Sequence, residues 1–491
     1  MGPWPGSVEV PRVPGVPRDL QQDATRQAPR SGRRLLSIFS APFRAVTIGV
    51  VSAITLFAFE GIAVSTVMPA VAVEFDGLGV YAWAFNAYVA ASLVGMVVAG
   101  SWCDRNGPRR AMWTGLGLFS AGAVVAGLAP GMAVLIAARG VQGLGGGALI
   151  VAAYVLIARA YPEDMRPQAF SIMAAAWVVP ALIGPLIAGW LAETLTWRLA
   201  FLLVPLVLLL PALLLRDVLR AHDGGTGESA SPARIIRAVA TAGGLTLAMV
   251  GFLRPAGWPL WLDAAFVLVG LALIVVAVRG LLPVGALSLA RGLPTTVLMR
   301  GILAGAFFGA ETFIPLALVE QRGLSITIAG LTLSVSALGW WLGSYAQSRI
   351  PEATDRARTV RLGALIVTAG LLSLPLCLVP TVPPWVCAVS YFVASLGMGL
   401  CFPSIAVQTL RLSPLDEQGA NSAALQISDA ILSSLVLAIL GAIHAASVAR
   451  GGATTTTYDV IWWGAAGTAL VGAAIATRMR PAATVPAAVA S

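Results

Sequence analysis

The chain has no lysine and very little charge of either sign. Asp, Glu, Lys and Arg together make up 11% of its 491 residues, whereas roughly 25% of residues are charged in an average soluble protein. Hydrophobic residues make up 58% of the chain, and the mean hydropathy is +0.86. These values exclude an ordinary soluble domain and indicate an integral membrane protein.

Cysteine and the usual catalytic groupings are also scarce. The 4 cysteines show neither metal-ligand nor redox spacing, and a disulfide scaffold of this size would use far more. We find no nucleotide-binding loop, metal cluster or Ser/His/Asp or Cys/His arrangement, and the loops are too short for a catalytic domain. The net charge of +9 is scattered along the chain, which argues against a nucleic-acid partner. We therefore predict neither an enzyme nor a cofactor.

Apolar stretches fill most of the sequence. A helix needs about 20 residues to cross a bilayer, no strand pattern competes, and fourteen stretches have about that length: 45–70, 80–100, 111–129, 132–157, 167–191, 199–219, 235–253, 262–282, 295–319, 324–346, 361–379, 384–408, 419–446 and 459–478. Twelve spans remain an alternative, because 235–253 and 262–282 are joined only by the turn-like "RPAGWP". The predicted fold is an all-α membrane protein.

The arginines predict the orientation, because cationic residues are retained on the cytoplasmic side. With a cytoplasmic amino terminus, most of the 31 arginines, including those from Arg279 to Arg300, fall in the tails or inner loops. Those that face outward or lie inside a span are Arg198, Arg254, Arg322, Arg450 and Arg139. We predict a multi-pass plasma-membrane protein with cytoplasmic termini and disordered tails at 1–44 and 479–491.

The stretch "GSWCDRNGPRR" (100–110) connects the second and third predicted spans on the inner side. Gly107 and Pro108 are expected to make the turn, and Arg109 and Arg110 to hold it at the anionic inner surface. Gly100 is expected to allow close helix approach. None of these roles explains Asp104 in the same stretch. We expect Asp104 to pair with an arginine or to lie at a helix amino terminus.

Five stretches in register resemble signatures of the major facilitator superfamily. "GSWCDRNGPRR" resembles its loop signature G-x-x-x-D-R-x-G-x-R-R, and "LIAARGVQGLGGG" (135–147) its fourth-helix R-x-x-Q-G-x-G. "GPLIAG" (184–189) is similar to the fifth-helix antiporter signature, and "TWRLAF" to the entry of helix 6. "FEGIAVSTVMP" (59–69) looks like the first-helix signature of the fourteen-helix drug:proton antiporters, with Glu60 where Asp is usual.

The resemblance implies two six-helix halves, 45–219 and 295–478, with a cytoplasmic loop and two inserted helices at 220–294 between them. "GSYAQSR" (343–349) is a faint echo of the loop after the second span. In such a fold the loop around Asp104 and Arg105 latches the halves together. The antiporter signature, Gly184, Pro185 and Gly189, favours export.

Charges within the spans point to the mechanism, because each costs about 2.5 to 3.5 kcal/mol at a helix centre unless it is paired or hydrated. At about 1.5 Å per residue, Glu60 lies about 20 Å from the inner end of span 1 and Arg139 about 10 Å from the outer end of span 4. In a core about 30 Å thick these depths coincide, so the two side chains can pair if both spans line one cavity. Glu311 matches the depth of Glu60, and Asp429 lies nearer the inner end of its span.

The predicted function is proton-driven export of small lipophilic compounds, including cationic ones. Burial raises the pKa of a carboxyl group and a nearby guanidinium lowers it. Glu60 beside Arg139 could therefore gain and lose a proton during transport, and Glu311 and Asp429 could share this role. A static buried pair, a proton-coupled uptake symporter and a membrane sensor or enzyme remain alternatives. We expect function as a monomer. The side chains that either bond between helices or contact substrate are Asn86, Gln142, Gln408 and Gln426. Tyr88 and Trp177 are expected to form an aromatic cavity wall, with anchoring at the membrane interface as the alternative for Trp177.

Overall fold

The structure is a computed structural model that describes residues 38–40, 43–162, 165–224, 232–253, 258–351, 354–414 and 417–481. Regular structure in these ranges is helical, because a helix satisfies its backbone hydrogen bonds within one segment, as lipid requires. The first helices are α1 (Arg44–Glu74), α2 (Tyr81–Asn106), α3 (Pro108–Gly127), α4 (Met132–Ala160), α5 (Arg166–Ala175), α6 (Val178–Thr194) and α7 (Leu199–Ala221). They are followed by α8 (Pro232–Leu253), α9 (Leu260–Val278), α10 (Leu293–Arg322), α11 (Ile326–Ser348), α12 (Arg356–Ser373), α13 (Val386–Leu412), α14 (Gln418–Val448) and α15 (Thr455–Ile475).

Within the described ranges, 12 helices are long and apolar enough to cross a membrane. Helices α8 and α9, the pair that left the number of spans open, are both among them. The third predicted span corresponds to helix α3, and the fifth corresponds to helices α5 and α6. None of these three helices is among the 12 that are both long and apolar enough to cross a membrane. The prediction of a helical multi-span protein is confirmed, with twelve spans of the fourteen supported by length and composition.

The fifth predicted span, 167–191, is interrupted. Helix α5 ends at Ala175 and α6 begins at Val178. Pro180 has no N–H to donate to the carbonyl of Ala176 one turn earlier, so the ladder lacks a hydrogen bond there. A single continuous helix was therefore the wrong prediction for this stretch.

The folded body extends further at both ends than the predicted tails allow. Ile38 is buried, and its carbonyl accepts a hydrogen bond from the Thr47 hydroxyl. At the other end Met479 is buried and the Arg480 guanidinium lies 2.6 Å from Asp355. Parts of 1–44 and 479–491 are thus ordered by tertiary contacts, while most of both predicted tails lies outside the described residues.

Helix contacts repeat between the beginning and the end of the chain. In the N-terminal group (α1–α7), α4 packs against α2 and α3, and α1 against α6 and α7. In the C-terminal group (α10–α15), α13 packs against α11 and α12, and α10 against α14 and α15. The two groups therefore have the same order of neighbours.

Glycines allow the central helix of each group to approach its neighbours closely. A Cβ added to Gly147 of α4 would lie 2.1 Å from the Ser92 carbonyl oxygen of α2. A Cβ on Gly343 of α11 would lie 2.2 Å from the Leu396 carbonyl oxygen of α13. Without a hydrophobic driving force in lipid, such close backbone packing holds helices together.

Two seams join the groups. Helix α6 packs against α11, and α2 packs against α14. Helices α8 and α9 pack against each other, and α8 also contacts both α2 and α14. Helix α8 therefore lies along the α2–α14 seam, with α9 packed against it.

Candidate functional site

The predicted pair of Glu60 and Arg139 is present. The Nη1 group of Arg139 on α4 donates to Oε1 of Glu60 on α1 and to Oε1 of Gln142 at 2.7 Å. Its Nε donates to the carbonyl of Ala84 at 3.2 Å, and the guanidinium carbon lies 4.4 Å above the Tyr88 ring. One arginine thus joins α1, α2 and α4, with a carboxylate, an amide, a carbonyl and a ring as partners.

This pair is sealed from its surroundings. Glu60 is 0% exposed and Arg139 is 3% exposed. Glu60 Oε2 is buried and has no hydrogen-bond partner in the described part of the chain. The carboxylate therefore keeps one oxygen that can carry a proton while the other remains bonded to the arginine.

A second ion pair lies in the C-terminal group. Arg300 Nε on α10 donates to Asp429 Oδ2 on α14 at 2.9 Å, and Arg300 Nη2 donates to Gln426 Oε1 at 3.3 Å. The guanidinium carbon lies 3.8 Å above the Phe402 ring. Unlike the first pair, these side chains are accessible, with 17% of Arg300 and 21% of Asp429 exposed.

Arg300 corrects the sequence analysis, which placed it in an inner loop. Helix α10 begins at Leu293, so Arg300 lies two turns inside it. The apolar residues on both sides of Arg300 are the signal that could have revealed this. The sequence found Asp429 but not the arginine that neutralises it.

Glu311 lies on the same face of α10 as Arg300, eleven residues further on. At 100° per residue, Arg300, Phe308 and Glu311 fall within about 80° of each other, and each is at least partly exposed. Phe308 is 42% exposed, whereas most of the neighbouring α10 residues are buried. This face of α10 therefore lines an accessible space.

Aromatic rings connect the two charged ends of that face. The Tyr391 hydroxyl donates to Glu311 Oε2, and the Tyr391 ring stacks on Phe307 with 4.8 Å between centroids. Trp340 packs edge-on against Phe307 at 5.7 Å and Phe402 at 5.0 Å. Within the described residues, Glu311 has no ion-pair partner. The result is an aromatic wall that ends at an unneutralised carboxylate.

The loop at 100–110 contacts the segment that follows α7. Gly107 has φ of +91°, and a Cβ there would lie 2.6 Å from the Gly224 nitrogen. Arg109 Nη1 lies 3.1 Å from Asp223 Oδ2, and Arg159 donates to the carbonyls of Cys103 and Gly224. All the residues in these contacts precede α8 in the chain, so the contacts hold the loop to the N-terminal part of the protein.

The structure also bears on the roles predicted for the other residues of this loop. Among the described residues, no heavy atom of a neighbouring helix lies within 4 Å of a Cβ built on Gly100, so its predicted role in close helix approach is wrong. Arg110 lies over the Trp102 ring at 4.5 Å. Asp104 and Arg105 are exposed, and their gating role stays a prediction.

The antiporter signature lies between α1 and the second group. A Cβ added to Gly184 would meet Ile62 and Phe59 of α1 at ordinary van der Waals distance. Gly189 and Pro185 lie against the first residues of α11. These positions therefore form part of the α6–α11 seam.

The predicted cavity residues do not converge on one space. Asn86, 1% exposed, accepts from the Ser434 hydroxyl across the α2–α14 seam and donates to the Met249 sulfur. Gln142 and Tyr88 belong to the sealed pair described above. The three that lie elsewhere are Trp177, edge-on to Phe57 at 5.6 Å; Gln408, 3.5 Å from the Met479 carbonyl; and Gln426, bonded to Arg300. Asn86 and Gln426 thus bond between helices, whereas Gln142 bonds within α4.

A bundle of long apolar helices with repeated helix contacts and a buried ion pair is typical of a multi-pass membrane transporter. The chain belongs to the Major Facilitator Superfamily, whose model matches residues 48–437. The transporters of this family are not enzymes.

Sequence relatives carry multidrug names. The chain is 24% identical over 402 residues to "Multidrug transporter protein MdtP" of Bacillus subtilis (strain 168), covering 80% of this chain and 74% of that protein. It is 25% identical over 436 residues to "Probable multidrug-efflux transporter Rv1634" of Mycobacterium tuberculosis (strain ATCC 25618 / H37Rv), covering 86% and 91%.

Among solved structures, the chain is similar to a POT family transporter in complex with 5-aminolevulinic acid. The TM-score is 0.67 at 17% identity, over 90% of this chain and 98% of that one. A likeness at this identity concerns the fold alone.

Proposed function

We propose that the protein is a proton-driven exporter of small lipophilic compounds that works by alternating access in the plasma membrane. The sealed pair of Glu60 and Arg139 carries the proposal. Each charge costs about 2.5 to 3.5 kcal/mol at a helix centre unless compensated, and here both are enclosed at 0% and 3% exposure. Proton exchange at Glu60 during alternating access would explain why the chain keeps these costly buried charges, whereas a static pair would not.

The partners of Arg139 make such a proton exchange feasible. When Glu60 is protonated, the guanidinium keeps the Gln142 oxygen, the Ala84 carbonyl and the Tyr88 ring. The arginine is therefore not left without partners in a medium of low dielectric constant. Glu311 and Asp429 are further carboxylates that we propose to share the coupling, the latter in balance with Arg300.

The C-terminal group supports lipophilic cations as substrates. An aromatic ring attracts a cation over its face. Phe308, 42% exposed on the same face of α10 as Glu311, stacks with the partly exposed Trp340 at 6.4 Å between ring centroids. The multidrug names of the relatives point to the same broad substrate class. We further propose membership of the fourteen-helix drug:proton antiporter branch, with two halves, an inserted α8–α9 pair and both termini in the cytoplasm.

The test uses the purified full chain in proteoliposomes with an imposed proton gradient and ethidium, an aromatic cation, as the probe. We expect gradient-driven ethidium movement in the parent, loss of that movement in Glu60→Gln, and no change in Asp217→Asn. Asp217 is an exposed carboxylate in an i,i+3 pair with Arg220, so it is a matched surface control. If Glu60→Gln moved ethidium as fast as the parent, the assignment of the coupling carboxylate would be wrong.

Uptake by proton symport is the competing function. The likeness to the POT structure does not favour it, because it shows the fold alone. A panel of toxic compounds in cells with and without the protein, repeated with a protonophore, separates the two. Export predicts lower accumulation with the protein and loss of this difference with the protonophore, while symport predicts higher accumulation.

A further inference from the structure

Helices α6 and α11 meet closely near the ends that the arginine distribution predicts to be outside. A Cβ on Gly189 of α6 would lie 2.5 Å from the Thr327 Cα, and a Cβ on Gly330 of α11 would lie 3.2 Å from the Pro185 Cβ of α6. Small residues permit this approach of two helix backbones. Since α6 belongs to the N-terminal group and α11 to the C-terminal group, the contact closes one seam on this side.

Glu193 reaches across that seam. It is the residue before the last of α6, and its Oε1 accepts a hydrogen bond from the Thr327 backbone nitrogen at 2.8 Å. Thr327 is the second residue of α11, and the first four N–H groups of a helix have no partner within it. The Ser325 hydroxyl caps a neighbouring position, Ile328, at 3.4 Å. The first turn of α11 is thus capped from both groups.

Glu74, another outer carboxylate of the N-terminal group, has a different kind of partner. Glu74 accepts from Trp197 Nε1 at 2.5 Å and from Arg198 Nη1 at 2.7 Å. Trp197 and Arg198 immediately precede α7 in the same group. Separation of α6 from α11 would therefore break the Glu193 bond and leave the Glu74 bonds intact.

We propose that Glu193 is a latch on the predicted outer side, because its carboxylate caps α11 only while the adjoining ends of α6 and α11 are together. The favourable interaction of an anion with a helix amino terminus adds to the hydrogen bond. Removal of a side-chain cap shifts a folding equilibrium by about 2- to 30-fold, and we expect a shift of that size toward the separated state. This inference rests on the alternating access of the proposed function, but on neither its proton coupling nor its substrate.

A thiol at Thr66 measures the separation. Thr66 of α1 is 0% exposed, and its methyl carbon would lie 2.5 Å from a Cβ on Gly330 of α11. Thr66→Cys should therefore react with a maleimide in proportion to the fraction of molecules in which α11 has separated from the N-terminal group. The full chain is purified in detergent, without a gradient or substrate. The four native cysteines are buried, and the protein without Thr66→Cys gives the background rate.

We expect Glu193→Ala to raise the alkylation rate of this thiol by about 2- to 30-fold, and Glu193→Gln, which keeps an amide oxygen acceptor, to raise it less. Thr327→Pro removes the N–H donor and is tolerated in a first helical turn, so it should act in the same direction. Glu74→Gln should leave the rate unchanged. The latch is refuted if Glu193→Ala leaves the rate at the parent value, or if Glu74→Gln raises it equally. Because no transport is measured, failure of the latch is distinguishable from failure of the proposed export.

Discussion

The energetics of the buried Glu60–Arg139 pair are the most direct test of this site. In Arg139→Met, the Glu60 carboxylate stays buried and loses its cation. Removal of one partner of a buried ion pair costs about 3 to 5 kcal/mol. Because the side chains are 0% and 3% exposed, solvent does not screen this loss. We therefore expect a fall of about 3 to 5 kcal/mol in the free energy of unfolding.

The reverse substitution should cost less. In Glu60→Gln the Arg139 guanidinium keeps the Gln142 oxygen at 2.7 Å, the Ala84 carbonyl at 3.2 Å and the Tyr88 ring. A hydrogen bond to a charged group contributes about 1.5 to 3 kcal/mol, so the loss should be of that order. The double variant replaces both charges and should recover part of the loss, with a coupling energy of about 2 kcal/mol or more.

The measurement is the free energy of unfolding of the four proteins in mixed micelles with increasing dodecyl sulfate. The exposed pair of Arg220 and Asp217, 3.4 Å apart, is the control, and its coupling should be below about 1 kcal/mol. Additive effects of Glu60→Gln and Arg139→Met would refute the reasoning, because they would mean that the two charges do not depend on each other.

Two further predictions concern packing and the second carboxylate. Gly147→Val should prevent close packing on the Ser92 carbonyl and reduce the yield of monodisperse protein in size-exclusion chromatography, whereas Gly140→Ala, with nothing within 4 Å, should not. A normal yield for Gly147→Val would contradict the α2–α4 packing. Tyr391→Phe removes the hydroxyl that donates to Glu311, and because this bond stabilises the charged carboxylate, ethidium binding measured by fluorescence should weaken about tenfold or more; unchanged affinity would exclude Glu311 from the substrate site.

Sequence reasoning located the buried ion pair well, because depth alone mattered there. Glu60 and Arg139 were matched because the rise per residue of a helix is constant, so distance along a span gives depth in the membrane. The same reasoning could not show what lies beside a residue at that depth. Asn86 was therefore expected to touch substrate as readily as another helix, and the structure places it in the α2–α14 seam.

The sequence by itself determined the helical class, the position of most spans and the depth of the buried charges, because hydropathy and helical rise are local properties of the chain. Tertiary structure decided which helices are neighbours. The pair of Arg300 and Asp429 and the contact of Glu193 with Thr327 join residues more than 120 positions apart. Lipid is equally apolar beside every span, so the lateral order of helices follows from the fit of side chains and glycine-lined surfaces over the whole bundle.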